Sequence, residues 1–398
     1  MQRATKYGAL ALALAAVVAA GVVGTLLTRQ NLQSSRGHPD AYTVAVGISG
    51  CGTGWSHATS GTQTFDVKNT SIAGMEVYLQ SAEGGKVYLD LESLGAGSTT
   101  RGTAVLAAGR YRFVCLPADA DPIAGPVVAV SGATRVANAT PGIRPVTQND
   151  LIPAAKQYGA WIESRLPVLQ TDVDALAADV ASGDLDKARG DWLTAHLEYE
   201  SLGAAYGAFG DADTAINGMP ASGRTALDDS GLTGFHKVEA LLWSGASAAE
   251  VEPFTMRLAA DVADLRTNFP NARIDPLDIG LRAHEILENA MQFELTGTTD
   301  AGSHTTLAIV DANLAGTVEA LEPLRGILAS RYPELSQTDA SIASARQLVE
   351  SYRAADGTWT PLQSLTTAQR EHLDARIDAA VELLAPIAAI CDVRRAAS

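Results

Sequence analysis

The chain has 398 residues, of which 29 are lysine or arginine and 45 are aspartate or glutamate, so its formal net charge at pH 7 is −16. This acidity argues against nucleic acid and against an anionic membrane surface as partners, and it is compatible with the binding of cations. The length exceeds that of one ordinary domain and predicts two domains with a terminal segment.

The first segment is apolar. Residues 8–28 contain no charged side chain, whereas Arg3 and Lys6 precede them and Arg29 follows them. The run is long enough to cross a bilayer, which favours an uncleaved signal anchor over residues 1–29, with a cleaved export signal as the alternative. Both predict an exported protein, held at the cell membrane with its domains on the extracytoplasmic side, or periplasmic if the signal is cleaved.

Short alternating segments follow and predict a small β-sandwich over residues 40–132, because they recur about every ten residues with turn-forming residues between them. The predicted strands cover residues 42–48, 63–67, 75–79, 86–91, 110–116 and 126–130.

Two cysteines belong to this sandwich. Cys51 follows the first strand, and Cys115 shares a strand face with Tyr111 and Phe113, so it is expected to point inward. In an oxidising compartment a Cys51–Cys115 disulfide is the favoured outcome. The alternative is a copper or iron site that both cysteines share with Glu76.

Residues 133–149 are rich in alanine, glycine, threonine and proline without periodicity and are predicted to be a linker. Apolar residues then recur every three or four positions, which predicts a helical bundle over residues 150–395. Capping boxes start two of its helices, at Ser247 and Thr366, and Asp275-Pro276 is expected to open another. The remaining predicted helices cover about 151–180, 185–206, 234–243, 305–328 and 339–353.

Within the bundle, His236 and Glu239 lie three residues apart in the apolar segment 234–243 and therefore on one helix face. Imidazole and carboxylate are ordinary ligands of iron, zinc and copper. An isolated H-x-x-E pair is more often a capped or salt-bridged surface pair, so a metal site requires further ligands.

Other helices supply candidates. His196 and Glu200 stand one turn apart, and His284 with Glu288 lies on a later helix. Each of these is by itself more often a solvated group, but together they can form an oxygen-rich iron site. The H-E-x-x-H signature of zinc metalloproteases is absent from the sequence.

These residues carry a family resemblance. The segment 234–243 resembles the H-x-x-E signature of the imelysin family, and the order of the matches is similar to that of EfeO-type iron-uptake proteins. The further matches are Tyr199-Glu200, 209–213, 285–287, 295–297, 303–305 and Ala312-Asn313. The resemblance implies a multidomain β plus α fold, in which a cupredoxin-like β-sandwich precedes an all-α imelysin-like helical bundle, behind an N-terminal transmembrane or signal helix.

The resemblance also implies a function. It suggests a non-enzymatic, extracytoplasmic component that binds iron, as Fe²⁺ or Fe³⁺, passes it to a membrane permease and works beside a haem peroxidase. Carried over by position, Glu200, His236 and Glu239 are the expected metal ligands, with Glu285 as a further candidate.

Two positions depart from the family pattern. Gly203 and Asn217 stand where the family commonly has carboxylates. The loss of anionic ligands is expected to weaken binding of a trivalent ion. Asn217 can still offer its carbonyl oxygen, and His196 is expected to compensate from one turn before Glu200.

Alternatives remain open at this point. Copper in the sandwich would have to use the cysteines and Glu76, because His57 is the only histidine there and a type-one copper centre needs two. A metallopeptidase with Glu239 as general base is a second alternative, although one histidine among several carboxylates favours a carrier over a zinc hydrolase. A polysaccharide-binding or surface-binding module is a third.

Overall fold

The computed structural model describes residues 41–118 and 120–393. The chain divides after Arg144 into two compact units, the first built of β-strands and the second of α-helices. The anchor or signal predicted for residues 1–29 lies outside the described residues. Within them, no helix combines the length and the apolar character that crossing a membrane requires.

The first unit consists of two sheets. One has the strand order β2-β1-β4-β7, and the other has the order β3-β10-β8-β5-β6 with β9 added beside β8. The strands are β1 Ala41–Gly47, β2 Gly50–Thr53, β3 Ala58–Thr59, β4 Gly61–Asn69, β5 Met75–Ser81, β6 Val87–Leu94, β7 Thr99–Leu106, β8 Gly109–Pro117, β9 Ile123–Ala124 and β10 Val128–Ser131.

Side-chain alternation explains how the two sheets pack. In β4 the buried Phe65 and Val67 alternate with half-buried or exposed polar residues, as expected of a strand with one face in the core. Phe65 meets Phe113 of the opposite sheet edge-to-face with ring centroids 5.2 Å apart, and Trp55 contacts both rings at 5.3 and 5.7 Å. These aromatic contacts form the centre of the sandwich core.

The Sγ atoms of Cys51 and Cys115 are bonded to each other at 2.07 Å, so the favoured disulfide is the one present. The bond connects β2 in one sheet to β8 in the other. Cys115 is buried on the same strand face as Tyr111 and Phe113, as the alternation predicted.

Strand β7 was missed from the sequence. Its first half, Thr99 to Gly102, contains no large apolar residue, and Gly102 leaves room for Leu89, whose Cδ2 would lie 2.6 Å from an added Cβ. Part of the predicted linker also belongs to this unit. The Thr140 hydroxyl accepts from Val105 N at 2.8 Å, and Ile143 forms a β-bridge with Val87.

The second unit is a helical bundle. Its helices are α1 Gln148–Ser182, α2 Leu185–Glu200, α3 Tyr206–Phe209, α4 Asp211–Asn217, α5 Gly234–Ser244, α6 Ala248–Asn268, α7 Ile279–Gln292, α8 Thr306–Leu321, α9 Arg325–Leu328, α10 Leu335–Glu350 and α11 Thr367–Cys391. Short 3-10 helices lie at Gly203–Ala205, Phe269–Asn271, Glu294–Thr296, Glu322–Leu324 and Leu362–Ser364.

Local signals set several of these boundaries. The predicted capping boxes at Ser247 and Thr366 are both present. Helix α1 continues through Pro167 and ends at Gly183, whose φ of 84° is the left-handed conformation that glycine adopts easily.

Several predicted boundaries were wrong, and the helix predicted at 339–353 covers Leu335–Glu350. The Asp275 carboxylate accepts from Leu277 N at 2.9 Å and so forms a turn, and α7 begins only at Ile279. Helix α2 ends at Glu200 instead of continuing to residue 206. Helix α8 ends at Leu321, and the 3-10 helix Glu322–Leu324, which contains Pro323, follows it.

Candidate metal centre

A cavity of about 250 Å³ lies inside the helical unit, where the end of α2 meets α4, α5, α7 and α8. Met219 and Phe293 line it and are also 44% and 48% exposed, so they mark its mouth. Its wall carries carboxylates, carboxamides and an imidazole, which are Glu200, Asp213, Glu294, Asn217, Asn289, Asn313 and His236.

Glu200 is the most completely hydrogen-bonded of these groups. Its Oε1 accepts from Asn217 Nδ2 at 2.8 Å and lies 3.2 Å from His196 Nε2, and its Oε2 accepts from Asn313 Nδ2 at 2.8 Å and from the Tyr206 hydroxyl at 3.4 Å. Burial alone would raise the pKa of Glu200, but the bonds from His196, Asn313 and Asn217 outweigh it and lower that pKa. The protein therefore keeps an ionised carboxylate in its interior.

His196 lies behind Glu200 and is not part of the cavity wall. Its ring is fully buried between Phe235 and Trp192, with ring centroids 4.8 and 4.9 Å away. Its Nε2 faces two acceptors, Glu200 Oε1 and Asn217 Oδ1 at 3.0 Å, so Nε2 carries a proton. Burial lowers the pKa of His196, whereas the neighbouring carboxylates, chiefly Glu200, raise it by a larger amount, so the net shift is upward.

His236 is positioned by the start of α5. Gly234 has a φ of 77°, and a Cβ added to it would lie 2.1 Å from Ile216 O. Glycine at this position allows the end of α4, which carries Asn217, to contact the first turn of α5. His236, two residues later, lines the cavity, and its Nδ1 is buried without a hydrogen-bond partner.

Glu239 stands behind His236. Its Oε1 accepts from Ala301 N at 3.1 Å and from Ser303 N at 2.9 Å, and its Oε2 lies 3.7 Å from His236 Nδ1. It does not line the cavity. The two residues of the H-x-x-E motif thus occupy different layers, the imidazole at the cavity and the carboxylate between that imidazole and a loop.

Glu294 is a cavity carboxylate that sequence reasoning missed. It begins the 3-10 helix Glu294–Thr296 and accepts from the Thr299 hydroxyl at 2.5 Å. Burial and the negative charge of Glu200 raise its pKa to about 8. No helical spacing connects it to another ligand, and the one sequence signal is its position directly before the family match at 295–297.

Glu285 lies away from the cavity. Its carboxylate pairs with Arg282 at 2.5 Å, whereas Ile286 and Asn289 of the same helix line the wall. A Cβ added to Gly203 would lie 3.0 Å from Ile286 Cγ1, so Ile286 occupies the space next to the position of the missing carboxylate. The pair His284 and Glu288, with 3.7 Å between Nδ1 and Oε2, is also outside the cavity wall.

In the β unit, the alternative metal site at the cysteines is not formed, because sulfur atoms bonded to each other cannot act as thiolate ligands. Glu76 instead lies near two carboxylates of β6, Asp90 and Glu92. In the described part of the chain, this trio is the only group of three or more His, Cys, Asp or Glu residues whose ligand atoms all lie within 4.8 Å of one another. The His, Asp and Glu side chains of the cavity wall do not form such a group, because their ligand atoms do not all lie within 4.8 Å of one another.

Comparisons with known proteins show that the helical unit matches a protein family. The sequence model of the family described as Imelysin, peptidase M75, matches residues 154–387, which include every residue of the cavity wall. The chain is 26% identical over 330 residues to proteins named iron uptake system component EfeO from Escherichia coli (strain K12), Shigella flexneri and Shigella boydii serotype 4. Each of these alignments covers 82% of this chain and 85% of the relative.

Proposed function

Because the chain belongs to the imelysin family, we propose that it is an iron-binding component of an uptake system and holds iron in the cavity beside Glu200, His236 and Glu294. The observation that carries the proposal is the convergence of a buried carboxylate that is ionised, a second carboxylate and an imidazole on one cavity. Carboxylate and amide oxygens with one imidazole are a donor set that suits iron.

Each residue has a role in this proposal. Glu200 supplies a negative charge, and His236 binds through Nε2 because its Nδ1 faces Glu239. Glu239 Oε2 lies 3.7 Å behind that imidazole, on the side where carboxylates commonly stand behind metal-binding histidines. Asn217 contributes through its hydrogen bond to Glu200, and Glu285 would have to leave Arg282 to take part.

The proposal extends to the surroundings of the protein. The relatives are named as components of an iron uptake system, which supports partners within such a system. We propose that these partners are a membrane permease, which receives the iron, and a haem peroxidase. The disulfide supports an extracytoplasmic location, since such bonds persist in oxidising compartments. In this proposal, residues 1–29 direct export or anchor the chain, and the β-sandwich is cupredoxin-like.

We infer binding rather than peptide hydrolysis, although the family name includes a peptidase. A general base must reach the water that it activates. Glu239 is the candidate base, but its Oε1 is engaged by two backbone N–H groups and it lies outside the cavity wall. This placement supports a positioning role and a carrier function.

Metal analysis and equilibrium iron binding of the full chain test the proposal. We expect one iron per chain, and Glu200→Gln or His236→Ala should weaken binding by at least about a hundredfold, because even residues behind metal ligands contribute 10- to 100-fold. Glu285→Gln is the matched control on a neighbouring helix and should bind like the wild type. A wild-type chain that binds no iron would contradict the proposal.

A further inference from the structure

The connection between α4 and α5 is a long surface loop. Residues 218–233 contain no helix or strand, and the two ends of the loop meet, since Ile216 O would lie 2.1 Å from a Cβ on Gly234. Compact loops of this length with adjacent ends are Ω-loops, which are frequently functional. We refer to residues 218–233 as the Ω-loop.

The Ω-loop reaches the mouth of the cavity through Met219, which lines the cavity while 44% of its surface is exposed. The loop is folded partly by its own bonds, since the Asp229 carboxylate accepts from Ala221 N at 2.8 Å and from Gly231 N at 2.9 Å. Most of its other side chains are exposed, and Ala226 and Leu232 are its buried apolar residues. Such a loop needs a strong attachment to remain fixed to the bundle.

Lys237 provides the attachment. It follows His236 on α5 and is only 5% exposed. Its Nζ donates to the carbonyl oxygens of Ala226 and Leu227 at 2.9 Å each and of Asp229 at 3.1 Å. All three ammonium protons are thus directed at the backbone of the Ω-loop, in bonds that are strong because the donor is charged.

The neighbours of Lys237 link this attachment to the metal centre. On α5, His236 faces the cavity, Lys237 faces the Ω-loop and Glu239 binds the backbone at 301–303. Ala240 of the same helix packs with Ala226 and Leu232 of the Ω-loop, and Ala301 lies against this cluster. One helix therefore holds the imidazole and the two loops beside it.

We propose that Lys237 fastens the Ω-loop to the helix that carries His236, and thereby sets how fast an ion enters and leaves the cavity. Lys237 is a positioning residue, since it acts through the loop and does not line the cavity. The part of this inference that concerns the ion rests on the proposed function, whereas the fastening of the loop does not.

Limited trypsin digestion of the full chain tests the fastening. Arg224 is an exposed trypsin site within the Ω-loop. Lys237→Met keeps the length of the side chain but removes its donors, and we expect cleavage after Arg224 to accelerate by at least about tenfold, since hydrogen bonds to charged groups are among the stronger ones. Lys237→Gln keeps two donors, so it should give a smaller acceleration and remains informative if the methionine variant does not fold.

A control separates loop release from general destabilisation. Arg346→Met removes an ion pair with Asp311, 3.0 and 3.2 Å long, on other helices of the same unit. It should leave the cleavage rate at Arg224 close to that of the wild type. Equal cleavage rates in the wild type and in both Lys237 variants would overturn the fastening.

Iron release completes the test. Protein loaded with Fe²⁺ without oxygen is mixed with excess chelator, and we expect the release rate of Lys237→Met to rise several-fold while Arg346→Met releases iron like the wild type. An unchanged release rate together with faster cleavage would overturn the control of ion exchange. If the wild type bound no iron, the proposed function would fail, but the cleavage result would still decide whether Lys237 fastens the loop.

Discussion

At the scale of single residues, the candidate metal centre depends on how the negative charge of Glu200 is stabilised. Two asparagines donate to its oxygens at 2.8 Å, and His196 Nε2 lies 3.2 Å from its Oε1. Asn217 also accepts from His196 Nε2, so it connects the two groups. A carboxylate in place of Asn217 would replace the hydrogen bond to Glu200 by repulsion between two negative charges.

We expect Asn217→Asp to destabilise the iron-free protein by roughly 1–3 kcal/mol, because Glu200 loses a buried donor and gains a negative neighbour. The same change adds an anionic oxygen to the cavity, which should increase affinity for trivalent relative to divalent ions. Thermal unfolding without metal, with Ga³⁺ and with a divalent ion measures both effects.

Asn289→Asp is the comparison, because Asn289 lines the cavity without a hydrogen bond to Glu200 among the described contacts. It should add charge with a smaller loss of stability. A Ga³⁺-induced shift in Asn217→Asp no larger than in the wild type would contradict the prediction.

At the scale of elements, the junction of α4 and α5 is fixed by one glycine. We expect Gly234→Ala to destabilise the helical unit by roughly 2 kcal/mol or more, because alanine would have to adopt a φ of 77° while its Cβ meets Ile216 O. Gly245 at the other end of α5 has a φ of 84° with no atom within 4 Å of an added Cβ.

Gly245→Ala therefore has the cost of a positive φ without a steric clash of the new Cβ. The difference in unfolding free energy between the two variants, measured with urea, gives the contribution of the close contact at Gly234. Similar losses of stability in both would show that the approach of α4 to α5 contributes little.

The loop after the 3-10 helix Glu294–Thr296 supports Glu239 and is itself organised by Asp300. Burial would raise the pKa of Asp300, but bonds from Gly302 N, His304 and Gln363 lower it. A lowered pKa contributes stability that is present above the unfolded value of about 3.9 and is lost as pH falls through the folded value.

We therefore expect Asp300→Asn to be less stable than the wild type by roughly 1–3 kcal/mol at neutral pH, with the difference shrinking below about pH 4. Asp356→Asn, in an exposed turn, is the control and should show a smaller difference. Unfolding by urea from pH 3 to 7 measures this dependence, and a difference that grew toward acid would have the wrong sign.

Sequence patterns predicted the elements better than the site. Alternation and three-to-four periodicity identify β4, β8 and α1 because one face of each packs in a core, whereas β7 escaped because its first half has no large apolar residue. Motif spacing indicated His236 and Glu200. It could not indicate Glu294, which reaches the cavity from an irregular segment, or show that Glu239 stands behind His236.

At the scale of the whole molecule, the disulfide and the cavity belong to different compact units. The cysteines are 64 residues apart, so reduction should cost the β unit about 4 kcal/mol in the chain-entropy account. In calorimetry, we expect reductant to lower the unfolding temperature of the β unit and to leave that of the helical unit unchanged. A shift of both transitions would contradict this.

The position of the disulfide has a consequence for biogenesis. Every cavity-lining side chain comes from the unit that contains no cystine among the described residues, and Cys391 of that unit is a buried thiol whose pKa burial raises to about 12. The disulfide and the cavity therefore depend on different parts of the chain. We expect protein made in a reducing cytosol to lack the disulfide of the β unit and still to form the cavity of the helical unit.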